Sequence, residues 1–201
     1  MIFVAHRINT IKELEMVPSK FGIEVDITNY TDKLILAHDP FVKGENFEIF
    51  IKHFKHRFII INIKTEGIEY KVLEILKKFK IDNYFFLDCS FPMMFKLGNY
   101  KKRKVNLAVR YSKYESIETV LKVKNFCKWV WIDCFDKKIE FIKNENLNLK
   151  KYHSCIVSPE LHKRVDEVDN YAIKIKKLNF VPKMVCSKIE NFKIWSKYFS
   201  F

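Results

Sequence analysis

Glycine and proline are scarce in this chain, at 4 and 5 of 201 residues. A loop-rich all-β fold draws heavily on both at its turns, so the shortage argues against that class and for short, regular connections. No apolar run reaches the roughly 18 residues that a membrane-spanning helix needs, and none is expected. The N-terminal residues have neither a basic stretch ahead of an apolar core nor a small-residue cleavage site, so no signal peptide is expected. Cysteine occurs five times, an odd number, and never as Cys-x-x-Cys, which removes the usual zinc and dithiol motifs. Most of Cys89, Cys127, Cys134, Cys155 and Cys186 lie in apolar runs, where a thiol acts as a small hydrophobe. That usage fits a reducing cytoplasm.

Acid is also in short supply: 24 Asp and Glu face 37 Lys and Arg, for a formal charge of +13. The excess admits two readings. One is attraction to a phosphorylated or otherwise anionic partner. The other is a lysine-rich surface from a genome biased toward AAA codons, in keeping with abundant Lys, Ile, Asn and Phe. The lysines are scattered, and no basic stripe with interleaved aromatics marks a nucleic-acid groove. Nucleic acid is therefore not the expected partner.

What is present is a hydrophobic content of 48%, enough for one folded domain spanning 1–201 with a sizeable core. Strand-like and helix-like runs alternate from end to end. Strands are predicted near 2–5, 22–28, 58–64, 84–90, 105–111, 128–133, 154–158 and 183–187, with a hairpin arm at 34–38. Helical patterns fall between them, the clearest at 68–79, and the chain closes on a helical pattern at 189–199. Eight strand–helix units predict an α/β fold, a compact (β/α)8 TIM barrel, although the usual size is nearer ~250 residues. An open doubly wound sheet is the structural alternative.

The most informative stretch is Gly22-Ile23-Glu24-Val25-Asp26-Ile27. Residues two apart on a strand share a face, so Glu24 and Asp26 stand side by side while Ile23, Val25 and Ile27 fill the other face. Two carboxylates that close repel, more so when buried, and a hard cation shared between them relieves the repulsion. Two histidines lie nearby in similar settings. His6-Arg7 ends the apolar run Ile2–Ala5, and His38-Asp39 ends Leu34–Ala37. Two imidazoles, an arginine and a metal-ready carboxylate pair are the components of phosphodiester cleavage.

The order His-Arg, Glu-x-Asp, His-Asp resembles the glycerophosphodiester phosphodiesterases, within the wider phospholipase-C-like phosphodiesterase group. The likeness is carried by about the first third of the chain. It implies a divalent-metal-dependent phosphodiesterase, with Mg²⁺ or Ca²⁺ held by Glu24 and Asp26. Relatives of this kind carry a further acid in Glu-x-Lys or Asp-x-Lys on the third strand, and this chain has Asn62-Ile63-Lys64. Asn62 supplies a neutral carbonyl oxygen as third ligand, with Glu66 as the alternative. His6 and His38 are the expected acid–base pair, and which is acid and which base stays open, as does hydrolysis against cyclic-phosphate formation. Arg7, Lys64 and Arg110 are the expected phosphate-binding residues, and Asp39 either orients an imidazole or caps the turn before Pro40. The implied partner is a small or lipid-like phosphodiester.

The chain also departs from the pattern. Only residues 39–57 separate the second histidine from the third strand, where relatives carry a larger, substrate-capping insertion. The missing acid and missing insertion keep a second reading in place: a barrel that binds a phosphorylated ligand without cleaving it. Among later residues, Asp88, Ser90, Ser158 and Lys188 end strands or follow them. Trp129, Trp131 and Asp133 alternate along one strand, so Trp131 and Asp133 form a pocket floor or the tryptophans fill the core. His53, His56, His153 and His162 read as surface residues.

Overall fold

The computed structural model describes residues 1–100 and 104–200. The chain runs β1 (Ile2–Ala5), α1 (Ile11–Met16), β2 (Gly22–Tyr30), β3 (Lys33–Leu36), β4 (Glu45–Asn46), α2 (Phe47–His53), β5 (Phe58–Ile63), α3 (Glu69–Lys78), β6 (Tyr84–Leu87) and α4 (Phe91–Gly98). It continues through β7 (Ala108–Tyr111), α5 (Ile117–Lys122), β8 (Trp129–Ile132), α6 (Glu140–Asn144), α7 (Asn146–Leu149), β9 (His153–Val157), α8 (Val168–Lys177), β10 (Met184–Ser187) and α9 (Phe192–Ser196). Each predicted strand is present within a few residues. The hairpin arm gains a short partner, β4, that the sequence pattern did not disclose.

Contacts divide the chain into two compact units, Ala5–Asn106 and a unit made of Met1–Val4 with Leu107–Phe201. In the first, β2 pairs in parallel with β5, and β5 with β6, while β3 and β4 extend β2 on its other side as antiparallel strands. The register sets Glu24 beside Ile60 and Asp26 beside Asn62. All six residues of β5 are buried, as expected of a parallel strand covered on both faces. Gly44 allows the chain to fold tightly onto β3, because a Cβ there would meet the Leu36 carbonyl oxygen at 2.1 Å.

Local signals set the helix bounds. Thr10 and Glu13 form a capping box at the start of α1, which supplies partners for amide groups the helix itself leaves unbonded. Pro18 follows closely, so the helix stops at Met16. Asn46 caps α2 and Ser90 caps α4, each accepting from a backbone N–H three residues on.

In the second unit β7, β8, β9 and β10 form a parallel run in sequence order. The Ile2 N–H donates to the Lys183 carbonyl at 2.9 Å, which brings the start of the chain to the edge of β10. Tyr171, Trp195 and Phe199 pack as a chain of aromatic rings, and the Trp195 indole N–H donates to Ser158 Oγ at 2.9 Å. Among the described residues, no helix is long and apolar enough to cross a membrane.

Candidate active site

The first unit gathers its polar side chains within the first five residues of β2, at Glu24 and Asp26, and at the C-terminal end of β5, at Asn62. Glu24 and Asp26 are each only 1% exposed, and Asn62 is 7% exposed. The segment after β1 is stitched onto them. Arg7 N–H donates to Glu24 Oε2 at 2.8 Å, Ile8 N–H to the Glu24 carbonyl at 2.8 Å, and Asn9 accepts from Asp26 N–H through Oδ1 at 2.8 Å. These bonds hold Arg7 at a φ of 56°, a left-handed value uncommon for a residue with a side chain. That backbone bend turns the chain at the carboxylates immediately after His6.

Asp26 is surrounded by donors. Lys64 Nζ lies 3.2 Å from Oδ1 and Arg7 Nε 3.5 Å from Oδ2. Asn62 Nδ2 donates to Oδ1 and Asn9 Nδ2 to Oδ2, both at 3.1 Å. Glu24 is less well compensated, and His6 Nε2 stands 3.7 Å from its Oε2. Burial and the adjacent Asp26 carboxylate push the Glu24 carboxyl up to about 7, against the opposing pull of the Arg7 N–H, Lys64 and Asn62. The cause is the one that the two-residue spacing predicts: like charges crowded where water cannot screen them.

His38 follows β3, whose end is tied to β2 by a bond from Ala37 N–H to the Asp26 carbonyl at 3.1 Å. Its Nδ1 is 2.7 Å from Asp39 Oδ1. The His38 bond holds the Asp39 carboxyl below its ordinary range, and the charges of Arg7 and Lys64 pull the same way. With Asp39 ionised, Nδ1 is the donor in this pair, and Nε2 is the ring nitrogen left for other partners.

The structure thus brings His6, Arg7, Glu24, Asp26, Asn62 and Lys64 together, with His38–Asp39 joined to them through Ala37. Glu66 is exposed in the turn after β5. Arg110 belongs to the other unit, where its guanidinium pairs with Asp133. Asn9 is the site residue the sequence reading missed. The capping box at Thr10 and Glu13 was its available signal, because Glu13 Oε2 also accepts from Asn9 N–H at 3.0 Å and so fixes the residue in place.

Among the described residues no group of three or more His, Cys, Asp and Glu is arranged to hold a metal ion. The donors at hand are two carboxylates and one amide oxygen. Asn62 Oδ1 is buried with no hydrogen-bond partner among the described residues, and buried polar atoms are normally paired. An oxygen left over beside two crowded carboxylates fits a hard divalent cation.

The weaker expectations resolve variously. Ser90 is a helix cap, Ser158 accepts from Trp195, and Trp129 is buried against His153 with ring centroids 5.0 Å apart. Asp88 follows β6 at a φ of 62°, and the Lys188 N–H donates to Glu160 at 2.9 Å. His53 and His153 are exposed as expected. His56 and His162 are not. His56 Nε2 lies 2.8 Å from the Val17 carbonyl, and His162 packs between Asp133 and Phe135.

No family model matches the sequence, and no curated protein matches it. Solved structures do. A glycerophosphodiester phosphodiesterase from Parabacteroides distasonis is 12% identical, with a TM-score of 0.69 over 98% of this chain and 97% of that one. The enzyme of that name from Thermotoga maritima is 18% identical, with a TM-score of 0.66 over 92% and 93%. The one from Agrobacterium tumefaciens is 11% identical, with a TM-score of 0.64 over 92% and 95%. The chain therefore has the α/β fold of the (β/α)8 class that its strand–helix alternation predicted. Within that class, the fold is that of the glycerophosphodiester phosphodiesterases.

Proposed function

We propose that the protein is a divalent-metal-dependent phosphodiesterase acting on a small or lipid-like phosphodiester. The observation that carries this reading is the buried Glu24–Asp26 pair with the partnerless Asn62 Oδ1 beside it and Arg7, Lys64 and His6 at its rim. Fold likeness to glycerophosphodiester phosphodiesterases supports the same reading.

Glu24, Asp26 and Asn62 would hold Mg²⁺ or Ca²⁺, which supplies Lewis-acid polarisation of a phosphoryl oxygen when bound. Arg7 presents a planar fork and Lys64 a point charge to the remaining phosphate oxygens. Both now face Asp26, so a bound phosphodiester shares cations already oriented by a buried carboxylate. His6 and His38 divide the proton work: one takes a proton from the attacking hydroxyl, the other gives one to the leaving alkoxide. Asp39 fixes the His38 ring so that Nε2 is the atom of exchange. Water or a substrate hydroxyl serves equally as nucleophile for this arrangement. Arg110 is a further phosphate-binding candidate, in the second unit.

The second reading, phosphoester binding without turnover, draws on the contacts of Asp26. Lys64, Arg7, Asn9 and Asn62 already satisfy that carboxylate within the protein. The deciding experiment is turnover of bis-(p-nitrophenyl) phosphate and a panel of glycerophosphodiesters with Mg²⁺, Ca²⁺, Mn²⁺ or EDTA, in the wild type and His6→Ala. Metal-dependent turnover lost in His6→Ala is the expected result. Tight phosphodiester binding with no turnover under any metal establishes the binding protein instead.

A further inference from the structure

The second unit holds a polar and aromatic cluster of which the phosphodiesterase reading uses only Arg110. The β7–β8–β9 register aligns Arg110 with Trp131 and Trp131 with Cys155. Asp133 lies two residues beyond Trp131 and shares its face. Asp133 is 2% exposed; the Arg110 guanidinium pairs with its Oδ2, and His162 Nε2 lies 3.5 Å from its Oδ1 without a hydrogen bond. The Arg110 guanidinium carbon sits 5.8 Å from the centre of the Trp131 ring. Trp131 is 4% exposed, and its indole N–H has no hydrogen-bond partner among the described residues.

Aromatic rings line up beside this pair, one from the segment after each strand. Tyr114 and Phe135 have centroids 6.0 Å apart, and Phe135 and His162 4.7 Å apart. Tyr114 is 74% exposed and Phe135 43% exposed.

We propose that this cluster is a binding subsite for a polyhydroxylated ring, a sugar or cyclic polyol. Its chemistry selects that class. Arg110 is paired with the buried Asp133, so the two present a donor and an acceptor side by side and not a lone cation. A carboxylate acceptor beside a guanidinium donor matches neighbouring hydroxyls, each of which both donates and accepts. The unsatisfied indole N–H adds a donor for another ring oxygen. The exposed faces of Phe135 and Tyr114 suit the apolar C–H face of such a ring, giving the apolar body and few oriented polar groups typical of small-molecule sites. The proposal shares only Arg110 with the phosphodiesterase reading, and its readout is binding, not cleavage.

The test is ligand-observed NMR and calorimetry on the full chain in EDTA. The probes are glucose, galactose, mannose, N-acetylglucosamine, myo-inositol, glycerol and inorganic phosphate. At least one ring polyol is expected to bind, glycerol markedly more weakly. Phe135→Ala, a surface change, is expected to weaken binding several-fold. Asp133→Asn is expected to weaken it about tenfold or more, the scale of one lost charge-assisted hydrogen bond. His6→Ala is expected to leave it unchanged. Binding of inorganic phosphate alone, of no probe at all, or of a polyol with equal affinity in Phe135→Ala and Asp133→Asn overturns the proposal. Because the readout is binding without metal, its failure is distinct from loss of phosphodiesterase turnover.

Discussion

Asp26 and Asp133 are both buried carboxylates held by an arginine and a second basic side chain, yet their company differs. Asp26 shares its strand face with Glu24, so two acids crowd one place and Glu24 is pushed up to about 7. Asp133 is matched by Arg110 with no second acid on its strand face. Crowding makes the first a place that gains from a cation, because the protein's own donors are aimed mostly at one member of the pair. Pairing with Arg110 makes the second a place where a donor and an acceptor stand side by side. Nearly the same side-chain types thus prepare two kinds of chemistry, and the strand spacing of the acids decides which.

The contrast yields graded predictions. The largest effect belongs to His6→Ala, expected to lower metal-dependent phosphodiester turnover by about 10²–10⁴-fold while leaving polyol binding intact. A parallel loss of both would show that the two regions are not separable.

Next is stability. Asp26→Asn and Asp133→Asn each leave partly exposed cations facing a neutral amide, and each should lower unfolding free energy by about 1–3 kcal/mol in urea titrations. Glu24→Gln should act in the opposite direction. In EDTA at pH 8 it removes the crowded charge and keeps an acceptor for the Arg7 N–H, for a gain of about 1–2 kcal/mol. A loss there would mean that the crowding has been overstated.

Asn62→Asp sharpens the same point. A third carboxylate at the position facing Asp26 should tighten Ca²⁺ binding by about tenfold in calorimetry and destabilise the metal-free protein. Unchanged Ca²⁺ affinity would remove Asn62 from the ligand set.

The smallest effect separates the units by thiol reactivity. Burial pushes Cys127 and Cys134 in the second unit up to about 12, whereas Cys89 in the first is partly exposed. In the native protein at pH 8, Cys89 should react first with a disulfide reagent, and Cys127 and Cys134 should wait for unfolding.

Much of the first site was legible because a strand has a period of two. Glu24 and Asp26 had to share a face, and the apolar runs before His6 and His38 had to end at one edge. Asn9 was legible only in part: the capping box at Thr10 and Glu13 marks its place, but the left-handed turn at Arg7 that carries it to Asp26 has no local residue pattern. Asp133 and Trp131 were visible as an alternation on one strand. Their partner His162 was read as surface because it sits on a 3₁₀ turn after β9 (residues 159–162) that folds back toward the end of β8, a long-range approach with no periodic signature.

One last consequence comes from the bond between Ile2 N–H and the Lys183 carbonyl. It ties residue 2 to a strand about 180 positions further along the chain. Residues 5–106 can gather their contacts while the rest of the chain is still emerging, but the β10 side of Ile2–Val4 must wait for residues 184–187. Synthesis at about 5–20 residues per second therefore leaves that side of the segment open for roughly ten seconds or more. During that interval a chaperone, or a neighbouring nascent chain, competes for the edge that β10 will later occupy.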